Sequence, residues 1–171
     1  IGDTPDPRGA SWGDAGRILI APNNAGGLFR IPAGGGAFEP ASEPDLARKE
    51  DGHRWPRLLP GGQAALLSVQ PQSGRESQRS IDVLNLATKE RKALVQGGSY
   101  PVYAGGFLFF GRSGQILAAP FDPAHVTHQF GDDLKLIAEQ GHATVTLAGR
   151  PFTINRAFLD DLGGQAQAER I

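Results

Sequence analysis

The chain has 171 residues, of which 24 are Gly, 13 are Pro and 39% are apolar. This content of Gly and Pro argues against a helix-dominated fold, yet it stays below the roughly 25–30% typical of low-complexity chains, so a globular domain is expected. Basic and acidic side chains number 17 and 18, and such a balance offers no extended charged surface for nucleic acid or an anionic membrane.

Several residue types and segments are missing. The chain has no Cys, which excludes disulfides, thiolate zinc sites and cysteine nucleophiles. No stretch approaches the roughly 18–20 apolar residues of a membrane span, and Ile1 to Pro7 lack the pattern of a signal peptide. The chain as it stands is expected to be soluble.

A repeat runs through the sequence. Residues 10–17 (ASWGDAGR) and 143–150 (ATVTLAGR) share Ala, Ala, Gly and Arg at one offset of 133 residues, and two looser copies lie between them. The alignment gives one position to Trp12, Leu58, Tyr103 and Val145, at separations of 46, 45 and 42 residues. A period in the low to middle forties, built from short strands, is the length of one four-stranded propeller blade.

The predicted strands follow this period. Blade 1, about residues 9–45, contains strands around Ser11 and Trp12, over Arg17 to Pro22, over Gly27 to Pro32 and over Ala37 to Pro40. In blade 2, about 53–97, the segment from Ser80 to Leu86 alternates apolar and polar residues, which predicts a strand with one buried face.

Later blades are less complete. Blade 3, about 98–140, has predicted strands over 106–110, 115–121 and 134–138. Blade 4, about 141–158, offers a hairpin over 143–147 and 151–154, and the tail 159–171 offers no strand. The predicted fold is therefore all-β, a partial β-propeller of three to four blades. A β-sandwich would also show short strands at regular spacing.

Three segments of the chain resemble a known family, namely residues 9–18, 27–36 and 53–62. They read GASWGDAGRI, GLFRIPAGGG and HRWPRLLPGG, and the Phe121-Asp122-Pro123 turn fits the same pattern. This pattern resembles the TolB-like, WD-repeat-like propellers found downstream of bacterial serine/threonine kinase domains, over residues 9 to 127. The resemblance implies a propeller fold, a binding or sensing role and an extracytoplasmic location in bacteria. From His128 onward the sequence departs from that family.

Three to four blades do not close a ring. Propellers typically have 4–8 blades, and an open arc exposes apolar faces and a sheet edge. Two copies related by a two-fold axis would complete a six- or eight-bladed ring, so a homodimer is expected. The alternative is a four-bladed monomer completed by residues 1–8, where Pro5 and Pro7 make a poor strand.

Candidate functional residues cluster at the starts of blades. The repeat places Gly9, Trp55, Tyr100 and His142 at one position, close to the central channel, and the segment 50–54 lies just ahead of Trp55. Imidazole and carboxylate groups at a channel suit zinc, calcium or manganese, and a bound metal can activate a water molecule. We expect metal ligands at His53, His142 and Glu50, with Asp51 as base and Arg54 or Tyr100 stabilising negative charge. Alternatively, His53 and Arg54 only brace the loop.

Two classes of function follow. The first is a noncatalytic module that binds a peptide, glycan or small ligand, because familiar catalytic and phosphate-binding motifs are absent from the sequence. The second is a metal-dependent hydrolase acting on an ester, lactone or phosphotriester at the channel mouth.

Overall fold

The structure is a computed structural model and describes residues 2–13, 16–123, 142–147 and 150–155. The chain divides into two compact units, residues 1–127 and 128–171. Each unit is described by itself. The described part of the chain contains no helix that is long and apolar enough to cross a membrane.

Sheet 1 is an antiparallel meander of four strands. Its order is β1 (Ala10–Trp12), β2 (Arg17–Ile20), β3 (Phe29–Pro32) and β4 (Glu39–Pro40). The strands lie within the predicted segments. The loop between β3 and β4 turns through Gly35 and Gly36, both of which have positive φ, the conformation that glycine adopts at no steric cost.

Sheet 2 is longer and contains most of the core. It consists of β5 (Glu50–Leu58), β6 (Ala64–Pro71), β7 (Ser80–Asn85) and β8 (Arg91–Gln96), again in sequential order. Every residue of β6 is buried, and Leu66 and Leu67 have no exposed surface, each burial contributing about 1.5–3 kcal/mol. The first strand begins at Glu50, ahead of the predicted blade start near residue 53.

Sheet 3 contains three strands, β9 (Ser99–Ala104), β10 (Phe107–Arg112) and β11 (Gln115–Pro120), with β10 at its centre. The second unit contains an antiparallel hairpin of β12 (His142–Leu147) and β13 (Arg150–Asn155), which confirms the predicted hairpin. The predicted strand over 134–138 lies outside the described residues.

Successive sheets of the first unit meet through their inner strands. The N–H of Leu58 on β5 donates to Ser11 Oγ on β1, and the N–H of Tyr100 on β9 donates to Ser68 Oγ on β6, both at 3.0 Å. Between sheets 1 and 2 lies one apolar cluster, which includes Leu19, Leu28 and Leu67. Consecutive meanders packed in this way form an all-β, partial β-propeller, and the predicted fold class is confirmed.

The repeat alignment corresponds to a shared backbone feature. Gly9, Trp55 and Tyr100, which it placed at one position, have φ of 100°, 54° and 58°. At Trp55 and at Tyr100 the strand pairing shifts by one residue, so each lies at a β-bulge in the first strand of its sheet. A positive φ is uncommon for aromatic residues. Its recurrence at the equivalent positions Trp55 and Tyr100 makes these positions candidates for a functional site.

Both end sheets of the first unit expose large apolar side chains. Trp12 on sheet 1 is 66% exposed, and Ile116 on sheet 3 is 84% exposed. Ring completion by a second copy stays a prediction.

Candidate functional site

Strand β5 supplies charged residues to two different environments. Glu50 pairs with Pro71 and Gly52 pairs with Gln70, so Asp51 is an extra residue in β5. This bulge breaks the alternation of faces, and Glu50 and His53 therefore lie on the same side although they are three residues apart. Both are buried, whereas Asp51 and Arg54 remain partly exposed.

The ring of His53 is fully buried and both of its nitrogens have partners. Ser42 Oγ lies 2.7 Å from Nδ1, and Glu50 Oε2 lies 3.4 Å from Nε2. Ser42 Oγ also accepts the N–H of Leu28 at 3.0 Å. A carboxylate can only accept, so Nε2 carries the proton and Ser42 donates to Nδ1. His53 is then a neutral imidazole in one defined tautomer.

Arg91 neutralises the carboxylates of Glu50 and Asp82. Its Nη2 donates to both oxygens of Glu50 at 2.8 and 2.6 Å, and its Nη1 donates to Asp82 at 2.9 Å. Burial favours the protonated form of Glu50, but hydrogen bonds from His53, Arg91 and the Asp45 N–H outweigh burial and lower its pKa to about 2. Burial lowers the pKa of His53 and raises that of Asp82.

These contacts differ from the expected metal site. The expectation placed Glu50 and His53 at an open channel, but both are buried and their polar atoms are satisfied within the chain. Among the described residues, no group of three or more His, Asp or Glu side chains is arranged to hold a metal ion. The side chain of His142 lies outside the described ones, so its role stays a prediction.

The other side of β5 borders a polar cleft of about 260 Å³. The rings of Trp55 and Tyr100 form one wall, with centroids 4.9 Å apart and planes tilted by 39°. The remaining lining residues are Arg8, Asn24, Arg54, Ser68, Gln70, Arg79 and Ser99. We call this cleft the arginine–aromatic cleft.

Asn24 orients two of the three guanidinium groups. Its side-chain oxygen accepts from Arg8 Nε at 2.8 Å, and its backbone carbonyl accepts from Arg54 Nε at 2.9 Å. Arg8 also pairs with Asp6 at 3.0 Å, and Arg54 lies 3.6 Å from Asp51. Burial lowers the pKa of Arg54; Asp51 opposes this effect, and repulsion from Arg8 and Arg79 adds to it.

Arg79 differs from the other two arginines. Within the described residues its side chain makes no ion pair, and its buried Nε has no hydrogen-bond partner. Buried donors without a partner are rare in proteins. The cleft therefore contains one guanidinium whose charge is not balanced by a neighbouring carboxylate.

The structure brings part of the predicted site together. Arg54 and Tyr100 line the cleft, and Asp51 pairs with Arg54 at its rim. The sequence interpretation missed Arg8 and Arg79. For Arg8 a signal existed, since it precedes Gly9 as Arg54 precedes the equivalent Trp55.

A larger cavity, of about 490 Å³, lies at the opposite ends of the first strands, lined by residues that include Gly13, Leu58 and Gly62. Its walls are mainly apolar, with Arg17 and Arg30 at the side. Residues of sheets 1 and 2 and of their loops line it, and none of the predicted site residues is among them.

The chain was compared with known families, curated proteins and solved structures, and matches were found among the solved structures. No family model matches the chain, and no curated protein matches it. The chain is similar to the solved structure of regucalcin, a calcium-binding protein from Agrobacterium tumefaciens strain C58, with 19% sequence identity and a TM-score of 0.46. The match covers 66% of this chain and 39% of the regucalcin chain.

Proposed function

We propose that the chain is a ligand-binding propeller module whose site is the arginine–aromatic cleft. The observation that carries this proposal is the convergence of Arg8, Arg54 and Arg79 beside the neighbouring rings of Trp55 and Tyr100. The proposed ligand class is a small anion with a flat or ring-shaped body. The carboxylate of such a ligand would face the guanidinium groups, and its flat body would lie against the rings of Trp55 and Tyr100.

Electrostatics supports an anionic ligand. Guanidinium groups bind carboxylates through paired hydrogen bonds, and such bonds are about twice as strong as neutral ones. Asp6 and Asp51 offset two of the three cations, so an incoming carboxylate would balance the charge of Arg79. Aromatic faces supply contact area at low entropic cost.

Backbone conformation supports the same location. Trp55 and Tyr100 both have left-handed φ values, a conformation that costs about 1–3 kcal/mol for such residues and is common at ligand sites. The resemblance to TolB-like propellers, carried by residues 9–127, also favours binding or sensing. A metal-dependent hydrolase would need ligands other than Glu50 and His53, whose polar atoms are already engaged.

Tryptophan fluorescence tests the proposal. The chain has two tryptophans, so in a Trp12→Phe variant the emission reports Trp55 alone. Titration with benzoate should give saturable quenching, and benzyl alcohol, which lacks the charge, should bind at least about 10-fold more weakly, a difference of about 1.4 kcal/mol. D-glucuronate and D-glucose form a second pair that differs in the carboxylate.

The controls separate charge from ring stacking. Raising the salt concentration should weaken benzoate binding and leave benzyl alcohol unchanged, because only the charged probe is screened. Equal responses to benzoate and benzyl alcohol would contradict an anion site, and no response to either would contradict binding at this cleft.

We further propose that two copies complete the ring. Trp12 and Ile116 are exposed on the two end sheets of the first unit, and large exposed apolar side chains favour an interface. Light scattering during size-exclusion chromatography should give twice the mass of the chain. The mass of a single chain at tens of micromolar protein would contradict this assembly.

A further inference from the structure

Ser42 lies at the edge of a second cleft, away from the arginine–aromatic cleft. This Ser42 cleft has a volume of about 320 Å³ and is lined by Pro40, Ser42, Glu43, Leu84, Lys89 and Arg91. Ser42 follows β4 and is 7% exposed. Ser42 is therefore a buried residue that borders the Ser42 cleft.

The contacts of Ser42 match those of an activated nucleophile. Its Oγ lies 2.7 Å from Nδ1 of His53, and the opposite nitrogen of that ring faces the buried carboxylate of Glu50 at 3.4 Å. A nucleophile, a base in hydrogen-bond range and a third group that orients the base are the parts that covalent hydrolysis needs. We propose that Ser42 is the nucleophile of a metal-independent esterase site, with His53 as its base and Glu50 as the residue that positions the ring.

In this proposal the backbone next to Ser42 would supply the donor for the developing oxyanion. The N–H of Glu43 donates to no acceptor in the part of the chain that the structure describes, and Glu43 borders the same cleft. The N–H of Leu28, which already donates to Ser42 Oγ at 3.0 Å, would stabilise negative charge on that oxygen as the proton leaves. Donors fixed in advance are the main source of such stabilisation.

The proposed reaction transfers an acyl group to Ser42 and then to water. Ser42 Oγ attacks the ester carbonyl carbon, and its proton moves to Nδ1 of His53. When the bond to the leaving alcohol breaks, His53 gives that proton to the alcohol oxygen. Water then attacks the acyl carbon and gives a proton to His53, the bond to Oγ breaks, and the proton returns to Ser42 as the carboxylic acid leaves.

The cleft suggests the class of ester. Its exposed lining carries one cation, Lys89, and one anion, Glu43, while Arg91 is already paired with Glu50 and Asp82. Net charge therefore gives no preference for a charged substrate. Pro40 is the exposed apolar residue of the lining, which fits a short acyl chain of an uncharged ester.

The test combines covalent labelling with turnover. A fluorophosphonate probe incubated with the wild-type chain should add to Ser42 alone, as located by peptide mass spectrometry. p-Nitrophenyl acetate should be hydrolysed with the same rate with or without a chelator, and Ser42→Ala should lower that rate by about 10²-fold or more. Ser11→Ala is the matched control, because Ser11 Oγ also accepts a backbone N–H from a neighbouring strand, that of Leu58, and borders neither cleft.

The labelling result stands even if Ser42→Ala fails to fold, because it uses the unchanged protein. An adduct at Ser42 together with chelator-resistant turnover supports the proposal. A folded wild-type chain with no adduct at Ser42, or with equal turnover in the Ser42→Ala variant, overturns it and leaves the hydroxyl as a brace between sheets. The outcome is independent of ligand binding at the arginine–aromatic cleft, which uses other residues.

Discussion

The two sides of strand β5 differ in how their charged groups are balanced. On the buried side, Arg91 pairs with both Glu50 and Asp82, and His53 has a partner at each nitrogen. On the cleft side, three guanidinium groups face two carboxylates, and Nε of Arg79 has no partner within the described residues. The first arrangement is complete without a ligand, and the second is not.

Two backbone irregularities in β5 produce this division. The extra residue at Asp51 shifts the register of β5, so Glu50 and His53 turn toward Ser42 while Asp51 and Arg54 pair at the cleft rim. A second bulge, at Trp55, turns that ring toward Tyr100. Bulges commonly redirect side chains next to functional sites, and here two of them assign neighbouring residues to separate environments.

The largest expected effect breaks the balance on the buried side. Arg91→Met leaves the carboxylates of Glu50 and Asp82 without their cation, and removal of one partner from a buried ion pair typically costs about 3–5 kcal/mol. Urea unfolding followed by circular dichroism should show this loss. Arg57→Met is the control, because Arg57 is exposed and should change the free energy of unfolding by less than about 0.5 kcal/mol.

The pH dependence of stability follows from the same side. Because burial lowers the pKa of His53, the unfolded chain binds a proton below about pH 6.5 that the folded chain rejects. The free energy of unfolding should therefore fall as the pH drops from 7.5 to 5.5. Glu50, with its pKa lowered from 4.5 to about 2, adds a further loss below pH 4.5, whereas the raised pKa of Asp82 acts in the opposite direction.

His53→Gln separates this contribution from those of the other histidines. Urea unfolding at pH 7.5 and 5.5 should show a smaller difference in this variant than in the wild-type chain. An unchanged difference would mean that His53 does not stay neutral in the folded chain.

Changes on the cleft side should affect binding more than stability. Asn24→Ala removes the side-chain oxygen that orients Arg8, and the loss of one such hydrogen bond, worth about 1 kcal/mol, should weaken benzoate binding about 5-fold. Stability should change by less than about 0.5 kcal/mol, because Asn24 is exposed. Asn23→Ala, at the neighbouring exposed position, is the matched control and should keep the affinity of the wild-type chain.

The smallest expected effect distinguishes a functional left-handed residue from a simple turn. Lys49 has a φ of 58° at the end of the short 3₁₀ turn Leu46–Arg48, and Lys49→Gly should raise the free energy of unfolding by about 0.5 kcal/mol, since glycine adopts this conformation without strain. Trp55→Gly relieves the same backbone strain but removes the ring that packs against Tyr100. It should lower benzoate affinity as measured by isothermal titration calorimetry, which does not need Trp55 emission, whereas Lys49→Gly should leave that affinity unchanged. Equal benzoate affinities in the two variants would contradict a binding role for the left-handed residue Trp55.

The sequence predicts the strands well because their signals are local. Alternation from Ser80 to Leu86 and the glycine turn before β4 lie within a few residues, and the strands β7 and β4 are found there. The predicted single buried face of β7 is wrong, because its residues 81–84 are buried on both faces. The shared position of Gly9, Trp55 and Tyr100 also emerges from the repeat, although the alignment gives no backbone angle.

The candidate sites depend on contacts that the sequence does not show. The pair of Glu50 with Arg91 joins residues 41 positions apart, and that of Ser42 with His53 joins the segment after β4 to strand β5. The bulge at Asp51 places Glu50 and His53 on the same side of the sheet, whereas simple alternation places residues three apart on opposite sides. Arg79 follows no repeat signal, since its role depends on packing between sheets.

The most direct test of the account compares benzoate affinity in Arg79→Met and Arg57→Met by fluorescence of Trp55, with Trp12→Phe in both chains. Arg79 is the cation without a partner in the described part of the cleft, and Arg57 is an exposed arginine of the same strand as Trp55. We predict at least a 10-fold loss of affinity for Arg79→Met and none for Arg57→Met. Equal affinity in the two variants would contradict the claim that the cleft is built to receive an anion.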